Sequence, residues 1–413
     1  MSFPSVGARV RAGTGAFRRS PEGRPARSAQ RPLPGWAFIG VAVASFGGPL
    51  ALAAQIAPGT VSDAASSAGF AMVAAVVVFA APLAIWLRYS ATVAGSGGLF
   101  AFVEAAAGRR VALVQAAIWT VSYLLYVIYT TVQIVYDLLP VVLPGERQYQ
   151  TLLALLIPVA VAGVMIAGRT VAMITIGLIA GSQLILAGVL DGVTLAHLST
   201  PASSFGVGAP GGALRSATAQ TSLLYICGSL PVFLGGELAS PARTIRRGLI
   251  GVYLLTALVV VLAVAPLAAA PGLTRTEIPG FSLAQQFAGL GVARAIGIGV
   301  AVSTAGVILC EYLALARLLH AVGSWRLRPV TIAIGAIVVV AAPFSLIDPD
   351  GFYTTLVKPS LAALWLSQLI VFAVYPLFAR KRGQPMVPAW ALSIVASGLA
   401  IYGLWLSLQL TAS

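Results

Sequence analysis

The chain has 413 residues, 59% of them hydrophobic and only 9% charged, where a soluble domain carries roughly 25% charged residues. That balance excludes a soluble globular protein and leaves an all-α polytopic membrane protein. The net charge of +14 gathers in an N-terminal tail and in short loops, so it reads as membrane topology and not as a nucleic-acid surface. The two cysteines, Cys227 and Cys310, lie inside apolar runs, which argues against a disulfide framework. The two histidines, His197 and His320, stand far apart. No metal cluster and no catalytic constellation emerges, and the chain reads as a non-enzyme without a cofactor.

In chain order, residues 1–34 come first, with seven arginines (Arg9, Arg11, Arg18, Arg19, Arg24, Arg27, Arg31) among Pro, Ser and Gly. They read as a disordered basic cytoplasmic tail. A transmembrane region over 35–410 follows. A spanning helix needs about 20 apolar residues, and eleven runs meet that need, at about 36–57, 70–88, 111–139, 150–168, 170–190, 218–239, 248–270, 294–319, 328–347, 353–379 and 387–410. With the N-terminus placed in the cytoplasm, alternation puts twenty of the 25 Lys and Arg on the inner side. Arg147, Arg215, Arg275, Arg294 and Lys358 are left outside, as the positive-inside rule asks. The C-terminus then falls outside a cell (plasma) membrane.

The first run holds Ala44-Ser45-Phe46-Gly47-Gly48-Pro49-Leu50 at its centre. Glycine costs a helix about 1 kcal/mol relative to alanine and proline about 3. Backbone groups freed in hydrocarbon are tolerated only where protein or a wet cavity receives them. A mid-membrane break facing a cavity is expected there. The sixth run repeats the pattern in Ile226-Cys227-Gly228-Ser229-Leu230-Pro231. Matched breaks in two halves of opposite parity point to inverted repeats and a small-molecule site between half-helices. The first repeat is 36–190, the second 218–379, and 387–410 is an extra helix. The Gly, Ser, Pro and Ala of 191–217 form the connector, and Gly97–Gly108 reads as an interfacial helix.

Four stretches resemble the amino acid–polyamine–organocation superfamily. They are the Gly-Gly-Pro break with Ala57-Pro58-Gly59; Ala94-Gly95-Ser96-Gly97-Gly98-Leu99-Phe100-Ala101-Phe102 before the third span; Gly236-Glu237-Leu238-Ala239-Ser240-Pro241-Ala242-Arg243-Thr244-Ile245-Arg246-Arg247 after the sixth; and Ala316-Arg317-Leu318-Leu319-His320-Ala321 ending the eighth. The resemblance covers about 36–322. It implies two inverted five-helix repeats, of the kind seen in amino-acid permeases and the leucine transporter, and secondary transport of an amino acid or related amine. Many members have twelve spans and an acid at the sixth-span break, where this chain has Gly228 and Ser229. Some carry a lysine in the fifth span, where this chain offers Ser182 and Gln183. The coupling ion, proton or sodium, stays open.

The expected substrate contacts are Phe46, Gly47 and Gly48 in the first span and Cys227, Gly228 and Ser229 in the sixth, where helix ends supply free N–H and C=O groups. Tyr123 and Tyr126 in the third span, and Ser303 and Thr304 in the eighth, add hydroxyls. The bland readings are packing glycines, core aromatics and helix–helix glue. Glu237 is a gate candidate pairing with Arg243 or with a basic residue of another helix. Glu311 and Lys358 are candidates for a proton relay or an intramembrane pair, with snorkelling the alternative for Lys358. The partners implied are a small substrate and the lipid bilayer, with no nucleic acid. The alternative function is a non-transporting membrane sensor or partner subunit on the same fold.

Overall fold

The first and sixth apolar runs lie against each other head to tail. The N–H of Leu33 donates to the carbonyl of Glu237 at 2.8 Å, Phe46 packs on Gly228, and the Thr60 and Thr221 hydroxyls are 2.8 Å apart. The start of one run therefore meets the end of the other, and their centres meet at one depth. This is the antiparallel relation that inverted repeats demand.

The computed structural model describes residues 32–409, the side chains at 146, 147 and 271 apart. Residues 1–31 of the basic tail lie outside the described residues, so its expected disorder is not addressed. Among the described residues, ten helices are long and apolar enough to cross a membrane: α1 (Gly35–Thr60), α2 (Ser62–Ser90), α3 (Arg109–Val142), α5 (Arg169–His197), α6 (Gly211–Glu237), α7 (Pro241–Leu267), α8 (Leu290–Gly323), α9 (Leu327–Leu346), α10 (Pro349–Lys381) and α11 (Met386–Gln409). The helix α4 (Gln150–Ile166) has 17 residues, about 25 Å at 1.5 Å per residue, the short end of a spanning length. All eleven expected spans are therefore helical. The only extended pairing among the described residues is the bridge between Leu33 and Leu238.

α1 is not one rod. Its first half ends at Ser45, Gly47 and Gly48 take φ of +77° and +66°, and Pro49 opens the second half. Proline there occupies the first helical position, where the missing N–H costs nothing. The second half contains a π-turn over Leu52–Ile56. In α6, the regular helix stops at Leu223 and the chain winds as a 3₁₀ helix from Ile226 to Glu237. Such runs rarely exceed a few residues because their hydrogen bonds are poorer, and this one is buried almost throughout.

Both helices flanking the 191–217 connector extend into it, as α5 runs to His197 and α6 begins at Gly211. The stretch before α3 does form a helix, Leu99–Ala107, ended by Gly108 at φ +90°. Its apolar side packs into the protein, with Phe102 stacked 4.8 Å from Tyr89, more than it lies on a surface. The ends of α2, α8 and α10 and the start of α3 share one face: Arg88 donates to the Tyr375 hydroxyl, Arg109 to the Val322 carbonyl and Lys381 to the Ala105 carbonyl.

Small residues set the closest helix crossings, as expected where lipid removes the hydrophobic drive for association. A Cβ on Gly40 of α1 would lie 3.2 Å from the Gly177 Cα of α5. Gly40→Leu should therefore force the two helices apart and destabilise by about 1–3 kcal/mol. The measure is thermal unfolding of the purified protein. Gly251→Leu, whose Cβ would meet nothing within 4 Å, should leave the transition where it was.

Candidate functional site

Where the two breaks meet, a cavity of about 420 Å³ opens, a size suited to one small molecule. Its wall comes from one half of each contributing helix. α1 gives Gly47 to Thr60, α6 gives Gln220 to Cys227, α3 gives Tyr126 to Gln133 and α10 gives Tyr353 to Trp365, while α8 adds Thr304 and Val307 and α11 adds Gly403, Leu406 and Ser407. All these segments lie toward the face that carries the α5–α6 connector. None of the lining side chains is Asp, Glu, Lys, Arg or His. The polar groups presented are Gln55, Gln133 and Gln220, several hydroxyls and the Cys227 thiol. Tyr126, Tyr129 and Tyr353 form an aromatic row, with centroids 5.0 and 5.3 Å apart and the last pair perpendicular. Such rings receive either an apolar group or a cation.

Of the expected contacts, Gly47, Tyr126, Cys227 and Thr304 line this cavity. The others support it. A Cβ on Gly48 would lie 2.0 Å from Ser303 Oγ and 2.7 Å from Gln183 Oε1, and Ser303 donates to that amide oxygen at 2.6 Å. The α1 break is thus clasped by α5 and α8, and Gly48 is required both for its positive φ and for space. Phe46 is fully buried against Gly228, whose Cβ would meet the ring at 2.4 Å. Ser229 turns to α10, where Gln368 Nε2 donates to its hydroxyl at 3.2 Å. Tyr123 lies beneath the cavity, stacked on Trp119 at 3.9 Å, with Phe233 beyond.

Gln55, Thr60, Tyr129, Thr130, Gln133, Gln220 and Tyr353 also face the cavity and were not anticipated. The signal was present: Tyr126, Tyr129, Thr130 and Gln133 fall at i, i+3, i+4 and i+7, a polar stripe on an otherwise apolar helix.

Toward the other face the path is shut. Glu237 at the end of α6 accepts from Arg317 Nε of α8 at 2.5 Å and from Arg169 Nη1 of α5 at 3.3 Å. Arg317 is nearly buried and also donates to the Leu313 carbonyl. Of the two pairings expected for Glu237, the basic residues of other helices hold it; Arg243 is exposed and forms no ion pair among the described residues. Lys358 is likewise exposed and outside the cavity lining, without an ion pair among the described residues. Glu311 is fully buried below the cavity.

No family model matches the chain, and no curated protein matches it in sequence. Solved structures do match in shape. One is a Na⁺-coupled sialic acid symporter in a substrate-bound outward-open state, with TM-score 0.58 and 12% identity over 92% of this chain and 90% of that one. Another is MhsT in complex with L-phenylalanine, with TM-score 0.59 and 14% identity over 92% of this chain and 100% of that one. The chain has the leucine-transporter-like fold. Two inverted five-helix repeats, α1–α5 and α6–α10, are followed by α11.

The ion-paired layer is open to a direct test. Arg317→Met leaves a partly buried Glu237 facing only Arg169 and should destabilise by about 3 kcal/mol. Adding Glu237→Gln should recover part of that loss, so a double-mutant cycle read by thermal unfolding should return a clear coupling.

Proposed function

We propose that this chain is a secondary transporter that moves an amino acid or a related small amine across the cytoplasmic membrane by alternating access. One observation carries the reading. Two helices are broken at the same depth and face each other at the base of a cavity that reaches one face, while a partly buried ion-pair layer lies toward the other. In the opposite state the layer parts and the cavity closes. Substrate moves across because it binds both states and its occupancy shifts their balance.

The substrate lies among Gly47, Tyr126, Tyr129, Thr130, Gln133, Cys227 and Thr304. The broken ends of α1 and α6 meet its charged groups through main-chain N–H and C=O, and the tyrosine row receives its body. The fold likeness adds support, since the two structural neighbours are described with sialic acid and with L-phenylalanine as ligands. The N-terminus is cytoplasmic and the C-terminus external, so the cavity opens outward. The basic residues of α2, α3, α8 and α10 then fall on the inner face, as the positive-inside rule requires.

Uptake of a radiolabelled panel of amino acids and amines into liposomes holding the full chain tests this. At least one compound should be exchanged. Binding without flux for every compound that binds would favour a sensor on the same fold. For the exchanged compound, Tyr129→Ala and Gln133→Ala should each raise the KM by about tenfold, the equivalent of one polar contact. Orientation is checked separately. A reporter that is active only outside the cytoplasm should work when fused after Ser413 and stay silent when fused before Met1.

A further inference from the structure

One buried acid has no partner. Glu311 sits in α8 with no exposed surface, and neither carboxyl oxygen has a hydrogen-bond partner among the described residues. Thr304 and Val307 of the same helix line the cavity. Glu311 follows them at i+7 and i+4, on the same helical face, about 6 Å below Val307 at 1.5 Å per residue.

The titratable groups that face it are Tyr123, Tyr126 and Tyr129 of α3, Cys227 of α6 and its neighbour Cys310. Tyr126, Tyr129 and Cys227 belong to the cavity wall. The Tyr123 hydroxyl lies beside the Cys227 thiol. Among the described residues, no Lys, Arg, His or second acid from α1, α3, α5, α6 or α9 answers the carboxyl's charge. Arg317, two turns further along α8, is taken by Glu237.

An uncompensated carboxylate inside a span is costly, by several kcal/mol for a buried ion. Folds keep such a group where it does work. The countercharge is not on the protein, and the cation able to reach a carboxyl sealed one turn under a cavity floor is the smallest one. We propose that Glu311 is the residue that carries the coupling proton of this transporter, loaded through the cavity when it opens to one side and unloaded when it opens to the other. The inference rests on the transport reading above.

In loading, an O–H bond forms at a carboxyl oxygen with a proton taken from cavity water past Tyr126 and Cys227. In unloading, the same bond breaks and the proton passes to water on the far side. No other group changes its bonding, and with a zwitterionic substrate one positive charge crosses per cycle. Phe46, Trp119 and Phe233 below the breaks keep water from bridging both faces at once.

The experiment uses the full chain in liposomes and the panel compound that the wild type exchanges fastest. With no sodium gradient, a difference of about one pH unit, acid on the cavity side, should support accumulation of up to about tenfold. Glu311→Gln removes the exchangeable proton and keeps the shape. It should still exchange the compound, while accumulation falls to the equilibrium ratio. Accumulation that persists in Glu311→Gln overturns the proposal, as does a wild type driven by sodium and indifferent to pH; both leave the transport reading standing.

Should Glu311→Gln fail to fold, Glu311→Asp keeps a carboxyl and should accumulate with a displaced pH profile; an unchanged profile counts against the proposal. A flux-free arm covers a panel that is not moved at all. The infrared difference spectrum of the purified wild type between acid and alkaline pH should show a protonated-carboxyl band that is missing from Glu311→Gln. Identical spectra overturn the assignment whatever becomes of the transport reading.

Discussion

Main-chain amides cannot be left bare in hydrocarbon, and this fold turns that prohibition to use. A helix interrupted in mid-membrane is tolerable only if something polar, or a second interruption, stands opposite. α1 and α6 supply the interruption for each other. The glycines at φ +77° and +66° in α1 lie at the depth where α6 gives up its regular winding, and Phe46 seats on Gly228. Everything else is arranged around keeping those two breaks in register. Gln183 and Ser303 clasp Gly48 from α5 and α8, and α3 and α10 are fastened by a reciprocal pair of bonds between Ser122 and Ser360, each hydroxyl to the other's carbonyl at 2.8 Å. The central helices are therefore held by polar contacts with fixed geometry, because apolar packing in lipid gives little direction.

The closed side works by a different kind of interaction. Glu237 receives two guanidinium groups, and the main chain of α1 joins the same layer through Leu33. Three helices, α5, α6 and α8, thus meet at one carboxylate, and the chain leading into α1 bonds to the main chain beside it. Ion pairs of this sort separate and re-form at modest cost once water enters, unlike interdigitated apolar side chains.

Much of the architecture was legible in the residues. Eleven apolar runs became eleven helices, and both broken segments were visible as Gly and Pro in the middle of apolar stretches. The Gly236–Arg247 stretch also marked where the inner layer would form. What stayed hidden was the direction in which individual side chains turn. Ser229 and Ser303 looked like ligands for a guest and proved to be fasteners between helices. A hydroxyl on a spanning helix reads the same in sequence whether it meets a neighbour or a void, since only rotation about the helix axis separates the two. The stripe from Tyr126 to Gln133 was the better clue, because four polar groups on one face require a wet surface in front of them. Lys358 and Arg243 lie outside the lining; long cationic side chains can leave the bundle and reach water, whereas Glu311 is too short to do so.

The eleventh helix has a consequence for symmetry. Gly403 and Ser407 of α11 complete the cavity wall, Gly403 lies against Trp365, and Tyr402 bonds to Ser216 at the start of α6. Yet α11 belongs to neither repeat, and among the described residues no counterpart stands at the corresponding flank of α1. The cavity therefore has a wall that the relation between the repeats does not generate. The two halves of the fold are nearly symmetric, but the space they enclose is not.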